Sequence, residues 1–184
     1  TVIFPHEGNI FQDKVMAGAA VLNGFGKSMG LIQIEELGAI ETPIVMTNTL
    51  SIGTAVTALT KYMLEQNKDI GTTTGTVNCI VTECNDSSLN DIRGLHVTEE
   101  DVFNALNSPS DVFEEGAVGS GTGMCCLGFK GGLGSSSRVL YIDEKEYTIG
   151  AMVMSNFGAA GNLTIGGDHI GGRIKEAQDK KKDQ

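Results

Sequence analysis

The sequence predicts a mixed α/β domain, and three observations carry that reading. Apolar residues recur at three- and four-residue steps from Ile52 through Ala55, Val56, Leu59 and Tyr62 to Met63, which places them on one face of a helix. Two segments rich in β-branched residues, Ile44 to Thr47 and Thr76 to Thr82, read as core strands on either side of that helix. A second helix is signalled by Thr98-Glu99-Glu100-Asp101, a variant of the capping box. Strands alternating with helices in this way build a mixed α/β core.

The elements follow in chain order. Val2 to Phe4 is a short apolar run that Pro5 closes, as at the end of a strand. Lys14 to Leu22 is apolar and rich in small residues, and the turn signals Asn23-Gly24 and Gly26 follow it. It reads as a buried strand that another backbone or a ligand approaches closely. Gly30 to Leu37 fits either a strand or a helix. Ser51 is placed to cap the first long helix, and Asn67 with Gly71 marks its end. The strand over residues 76–82 then runs directly into Glu83-Cys84-Asn85-Asp86. The second helix carries Val102, Phe103 and Leu106 inward. Val139 to Ile142 and Tyr147 to Met154 read as two strands around the acidic turn Asp143-Glu144-Lys145-Glu146, while Ser135-Ser136-Ser137 reads as a loop. Fifteen of the 25 glycines fall between Gly116 and Gly172. Residues 1–172 are expected to form the folded domain, and the lysine-rich stretch 173–184 a charged flexible tail.

Composition bounds the function. The 184 residues carry 23 acidic and 13 basic side chains, a net charge of −10, and the tail hides part of this. Without residues 173–184 the body holds 20 acidic and 8 basic residues, or −12. Nucleic acid is therefore not an expected partner, because phosphate neutralisation needs clustered Lys and Arg. An acidic body suits cationic ligands such as amines, and equally serves plain solubility. No run approaches the roughly 18 apolar residues of a membrane span. The four cysteines, at 79, 84, 125 and 126, lack the spacing of a zinc site, and His6, His96 and His169 are remote in sequence. Free thiols in a reducing, cytoplasmic compartment are expected, with no metal and no cofactor. The start, Thr1-Val2-Ile3-Phe4-Pro5, does not read as a charged leader followed by an apolar core, so no secretory signal is expected, and a start other than Met suits a processed product or a fragment.

Four features invite a chemical reading. Gly119-x-Gly121-x-Gly123 has the wrong spacing for a dinucleotide fingerprint and no P-loop lysine closes it, so it either lines a tight pocket with backbone N–H groups or lets the chain cross a strand closely. Glu83 and Asp86 stand at the exit of a strand, where one of them either binds an ammonium group or is a solvated loop carboxylate. Asn156, at the exit of the last strand, either offers its amide N–H to a developing oxyanion or caps a turn. His169, between Gly166-Gly167 and Gly171-Gly172, is a surface or a pocket residue. No serine has the Gly-x-Ser-x-Gly elbow context, and these residues alone do not select a reaction.

Taken together, several segments resemble one family. They are Leu22-Asn23-Gly24-Phe25-Gly26-Lys27, Glu35-Glu36-Leu37-Gly38, the run from Glu41 through Thr49 to Ser51, and Leu89-Asn90-Asp91-Ile92-Arg93-Gly94. Gly119 to Met124, Phe129-Lys130-Gly131-Gly132-Leu133-Gly134, Ser136-Ser137-Arg138-Val139 and Asn156-Phe157-Gly158 complete the set. In this order they resemble the self-processing aminopeptidases of the DmpA type, which include L-aminopeptidase/D-amidase/esterases and β-peptidyl aminopeptidases. The resemblance runs from about residue 1 to about residue 172.

It implies a four-layer αββα sandwich and a precursor that cuts itself before a serine or related nucleophile. That residue becomes the start of a β subunit, and its own α-amino group serves as base. The chain then resembles the α subunit, its tail leads to the cut, the nucleophile comes from the partner β subunit, and αβ pairs assemble into higher oligomers. Glu83 matches the glutamate that binds the substrate's free amino group, and Asn156 matches an asparagine of the oxyanion hole. Asn85 stands where relatives carry a tyrosine that assists the oxyanion site, so its amide would be the donor in a smaller, more polar pocket. The implied activity is hydrolysis of short peptides, amides or esters through an acyl-enzyme. The alternatives are an acyl transferase of the ornithine acetyltransferase type and a non-catalytic homologue that holds amines or peptides.

Overall fold

The computed structural model describes the backbone of residues 1–182 and the side chains of residues 1–180; Asp183 and Gln184, the last of the expected tail, lie outside the described residues. The chain divides into two compact units, one of Thr1–Asn85 with Asp91–Phe113, the other of Asp86–Asn90 with the chain from Glu114 onward.

The first unit is built on a three-stranded sheet of β1 (Val2–Ile3), β4 (Ile44–Asn48) and β5 (Ile80–Cys84), in the order β1-β4-β5. Strand β1 runs antiparallel to β4, and β4 runs parallel to β5. A parallel pair needs a crossover, which is the helix α2 (Ile52–Gln66). Strand alternation sends Val45 and Val81 into one core with Ala55, Ala58, Leu59 and Met63 of α2 and Val102 and Leu106 of α3 (Glu99–Leu106). It sends Ile44 and Ile80 the other way, onto Ile34 of α1 (Leu31–Leu37) and Ile40 of β3 (Ala39–Ile40). The apolar periodicity at 52–63 and the capping box at Thr98 are therefore met, the box with both of its bonds formed between Thr98 and Asp101.

Three local expectations differ. Only Val15–Met16 (β2) of the run from Lys14 to Leu22 is a strand, paired with β3, and Val21 and Leu22 are exposed. Alanine and glycine bury too little apolar area to hold a strand in a core. Ser51 does not cap α2: a 3₁₀ turn over Thr49–Ser51 precedes the helix, and the buried Ser51 hydroxyl has no hydrogen-bond partner among the described residues. Strand β5 begins at Ile80 rather than Thr76 and contains Glu83, which pairs in register with Thr47.

The second unit is dominated by a hairpin of β8 (Gly132–Ile142) and β9 (Lys145–Ser155), paired residue for residue along eleven positions. Its two-residue turn, Asp143-Glu144, has φ of 48° and 64°, the signature of a type I′ turn. Ser135 to Ser137 lie inside β8, opposite Met152, Ala151 and Gly150, rather than in a loop. Serines have weak strand preference, and cross-strand pairing overrides it. A smaller hairpin, β6 (Cys125–Cys126) with β7 (Phe129–Lys130), precedes it.

The glycine run around residues 116–134 serves close backbone crossing. Gly116 and Leu133 exchange N–H···O bonds of 2.7 and 2.9 Å. A Cβ on Gly132 would stand 2.2 Å from the Gly116 carbonyl oxygen, and one on Gly121 2.6 Å from it. Residues 173–182 are helical, as part of α4 (Ile170–Lys182), so the boundary expected at 172 falls inside a helix. Arg, Lys, Glu, Ala and Gln favour helix intrinsically, and Arg173 pairs with Asp168 just ahead of it. No helix among the described residues is long and apolar enough to cross a membrane.

Candidate functional site

Glu83 stands near the end of β5, on the same side of the sheet as Val81 and therefore on the side of α2. Two flanks hold its carboxylate. On one side β4 ends at Asn48 and passes into the Thr49–Ser51 turn, and the Thr49 hydroxyl donates to Oε2 of Glu83. On the other side Met29 bridges to Val81 with bonds of 2.8 and 3.2 Å, which lays the preceding residues along the free edge of β5. From that edge the backbone N–H of Lys27 donates to Oε1 of Glu83 at 2.9 Å. Thr49 is buried, Glu83 is half-buried, and Gly26 and Lys27 are exposed. One face of the carboxylate is thus fixed in the protein.

The Lys27 ammonium does not compete for that charge. It folds back onto the Phe25 carbonyl at 2.8 Å and lies 4.5 Å from the centre of the Phe25 ring. A carboxylate offers about four acceptor positions, of which these donors use two. The turn at Thr49 also leads straight into α2, and the N-terminal end of a helix favours a nearby anion. Next along the strand, burial and then the charge of Glu83 push the Cys84 thiol up, so it stays protonated at neutral pH.

Asn85, two residues beyond Glu83, is exposed immediately after β5. Asp86, the other acid read at this strand exit, is buried; its carboxylate accepts from the Asn90 amide at 3.0 Å and belongs to the second unit. With the Asn90 N–H on the Asp86 carbonyl at 3.0 Å, that bond closes the 86–90 turn.

Asn156 also lies in the second unit, directly after β9. Its Oδ1 accepts the backbone N–H of Cys125 at 3.0 Å. The neighbouring Leu127 N–H donates to the Phe157 carbonyl at 2.7 Å, so residues 125–127 and 156–157 are tied together twice. His169 is exposed and bonded through Nε2 to the Gly161 carbonyl at 2.6 Å, a local tie ahead of α4. The four cysteines are free thiols.

All 184 residues match the profile of peptidase family S58. The chain belongs to peptidase family S58. It is 36% identical over 172 residues to the beta-peptidyl aminopeptidase BapA of Sphingosinicella microcystinivorans, covering 93% of this chain and 42% of that protein. Among solved structures it resembles the PH0078 protein from Pyrococcus horikoshii OT3, with a TM-score of 0.92 and 60% identity over 95% of this chain and 49% of that one. The L-aminopeptidase D-Ala-esterase/amidase from Ochrobactrum anthropi, a prototype serine aminopeptidase and a variant of the N-terminal-nucleophile hydrolase fold, superposes with a TM-score of 0.82 at 39% identity. That match covers 89% of this chain and 46% of the other. The family S58 chain therefore has the N-terminal-nucleophile hydrolase fold, and it spans less than half the length of these relatives.

Two parts of the site were missed by sequence reasoning. Thr49 and the Lys27 amide, which hold Glu83, lie 34 and 56 positions away from it. Both fall inside segments that carried the family resemblance, but no spacing rule joins them to Glu83. Parallel pairing of β4 with β5 brings Thr49 to it, and the Met29 bridge brings Lys27.

Proposed function

We propose that this chain is the amine-recognising part of an N-terminal-nucleophile aminopeptidase that hydrolyses short peptides, amides or esters bearing a free amino terminus. The observation that carries the reading is Glu83, a carboxylate fixed on one side by Thr49 and the Lys27 N–H in a chain of family S58. A carboxylate held with acceptor positions to spare suits a charge-assisted bond to a substrate ammonium. The activities named for the Sphingosinicella and Ochrobactrum proteins agree with it.

In this reading residues 1–172 form the body of an α subunit, and 173–184 lead to a self-cleavage site. The remainder of the protein is the β subunit, opening with the serine or threonine nucleophile; αβ pairs assemble further and work in the cytoplasm, which suits four free thiols. The nucleophile's hydroxyl proton passes to its own α-amine as the oxygen bonds to the substrate carbonyl carbon. The Asn156 amide N–H donates to the resulting oxyanion, and Asn85 adds a polar donor to the pocket. The carbon–nitrogen or carbon–oxygen bond then breaks, the leaving group takes the proton, and water repeats the sequence to release the acid.

The test is Glu83→Gln in the full-length protein, assayed on an aminoacyl p-nitroanilide and on its N-acetyl counterpart. Removing the charge partner of a bound ammonium is worth roughly 1.5–3 kcal/mol, or about 10- to 100-fold. The free-amine substrate should lose that much in kcat/KM, and the blocked one much less. Equal losses on both would contradict the ammonium-binding role.

A further inference from the structure

Resting on the reading of Glu83 as the ammonium site, we propose that Thr49 is a positioning residue for amine recognition, acting by holding the Glu83 carboxylate in one orientation.

The geometry of the strand ends leads to this. Thr47 pairs with Glu83 across β4 and β5, and Thr49 is the next residue of the same parity, carried past the strand end into the 3₁₀ turn. Its side chain is thus delivered to the carboxylate by sheet register. The backbone bond from Lys27 fixes Oε1, but that donor sits in an exposed loop over residues 21–27. Thr49 is buried, so its bond to Oε2 is the one made from a rigid element. With Oε1 held from the edge and Oε2 from the helix side, the carboxyl group cannot turn about its last bond without breaking a bond. The two acceptor positions left over then have fixed directions, which is what recognition of a tetrahedral ammonium requires.

Among the described residues the Thr49 hydroxyl makes no other hydrogen bond, and it is not used in capping α2. A packing role alone would be served as well by valine, which has nearly the same shape. Valine keeps the packing and removes only the donor.

The experiment compares Thr49→Val, Thr49→Ser and Glu83→Gln in the full-length protein, on a free-amine aminoacyl p-nitroanilide and its N-acetyl counterpart. Thr49→Val should lower kcat/KM on the free-amine substrate about 10-fold, mainly through KM, since a bond to a charged group is lost while the Lys27 bond remains. The N-acetyl substrate should change less than about 2-fold, and Thr49→Ser should restore the free-amine preference, because serine keeps the donor. Equal losses on both substrates would show a purely structural role and overturn the proposal. So would an unchanged preference in Thr49→Val, or a serine variant as impaired as the valine one. If Glu83→Gln abolishes the preference while Thr49→Val retains it, the positioning role fails and the ammonium site stands. If Glu83→Gln itself leaves the preference intact, both fail.

Discussion

Glu41 shows how much a single buried carboxylate depends on its partners in this protein. It is 5% exposed, immediately after β3, and pairs with Lys14 at 2.8 Å. Its Oε1 accepts the backbone N–H and the side-chain amide of Asn78 at 2.9 and 3.1 Å. Burial alone would raise its pKa; the Lys14 bond and the two Asn78 bonds outweigh that and hold it below the usual carboxylate range. A carboxyl lowered on folding stabilises the protein above its unfolded pKa near 4.5, and the contribution is lost as pH falls through the lower folded value. Urea unfolding should therefore show stability falling below about pH 4.5, and Glu41→Gln should flatten that part of the profile. Lys14 is about half exposed, so Lys14→Met should cost only about 1–2 kcal/mol at pH 7. A pH profile unchanged in Glu41→Gln would show that other groups drive the acid transition. At this scale the sequence identified Glu83, Asn85 and Asn156 as site candidates through family resemblance. It did not identify Thr49 or Lys27, whose importance comes from contacts across dozens of residues.

Elements divide by whether their signal is local. The capping box at Thr98 and the apolar stripe of α2 were legible because both depend on residues within a turn or two of each other. The start of β8 was not, because Gly132 to Ser137 has neither β-branched residues nor alternation and is a strand only through its pairing with β9. What admits that strand is the absence of side chains at its base. Gly132 has φ of 155°, and a methyl group there would meet the Gly116 carbonyl across the paired Gly116–Leu133 bridge. Gly132→Ala should therefore destabilise the second unit by about 3 kcal/mol, through overpacking and backbone strain together. Amide hydrogen exchange at Leu133, whose N–H bonds to Gly116 at 2.9 Å, reads this directly. Retained protection at Leu133 would mean that the crossing tolerates a side chain.

For the whole molecule, the fact to account for is that less than half of each compared relative is represented. The hairpin β8–β9 bears on this. Val139 and Tyr141 on one face, and Ile142 and Ile149 on the other, are all more than half exposed, although a two-stranded ribbon is marginal in water by itself. In the proposed reading the rest of the protein arises from one precursor. Denaturing mass spectrometry of a full-length preparation should then find two polypeptides, the second beginning with Ser or Thr. A single uncut chain with full activity would exclude self-cleavage.

The sequence by itself determined the mixed α/β class, the two main helices and the family, because these rest on local periodicity, caps and short motifs in a fixed order. It also marked the glycine-rich half as a place of close approach, leaving open whether a ligand or a backbone would come near. Only the tertiary structure decided that the close approach is the backbone at Gly116 and the Gly119–Gly121 turn meeting the base of β8 at Gly132. Only tertiary structure, likewise, showed that Glu83 is held by Thr49 and the Lys27 amide rather than left solvated. The physical reason is the same in both cases: a hydrogen bond or a steric contact between residues far apart in sequence exists only once sheet register has placed them side by side.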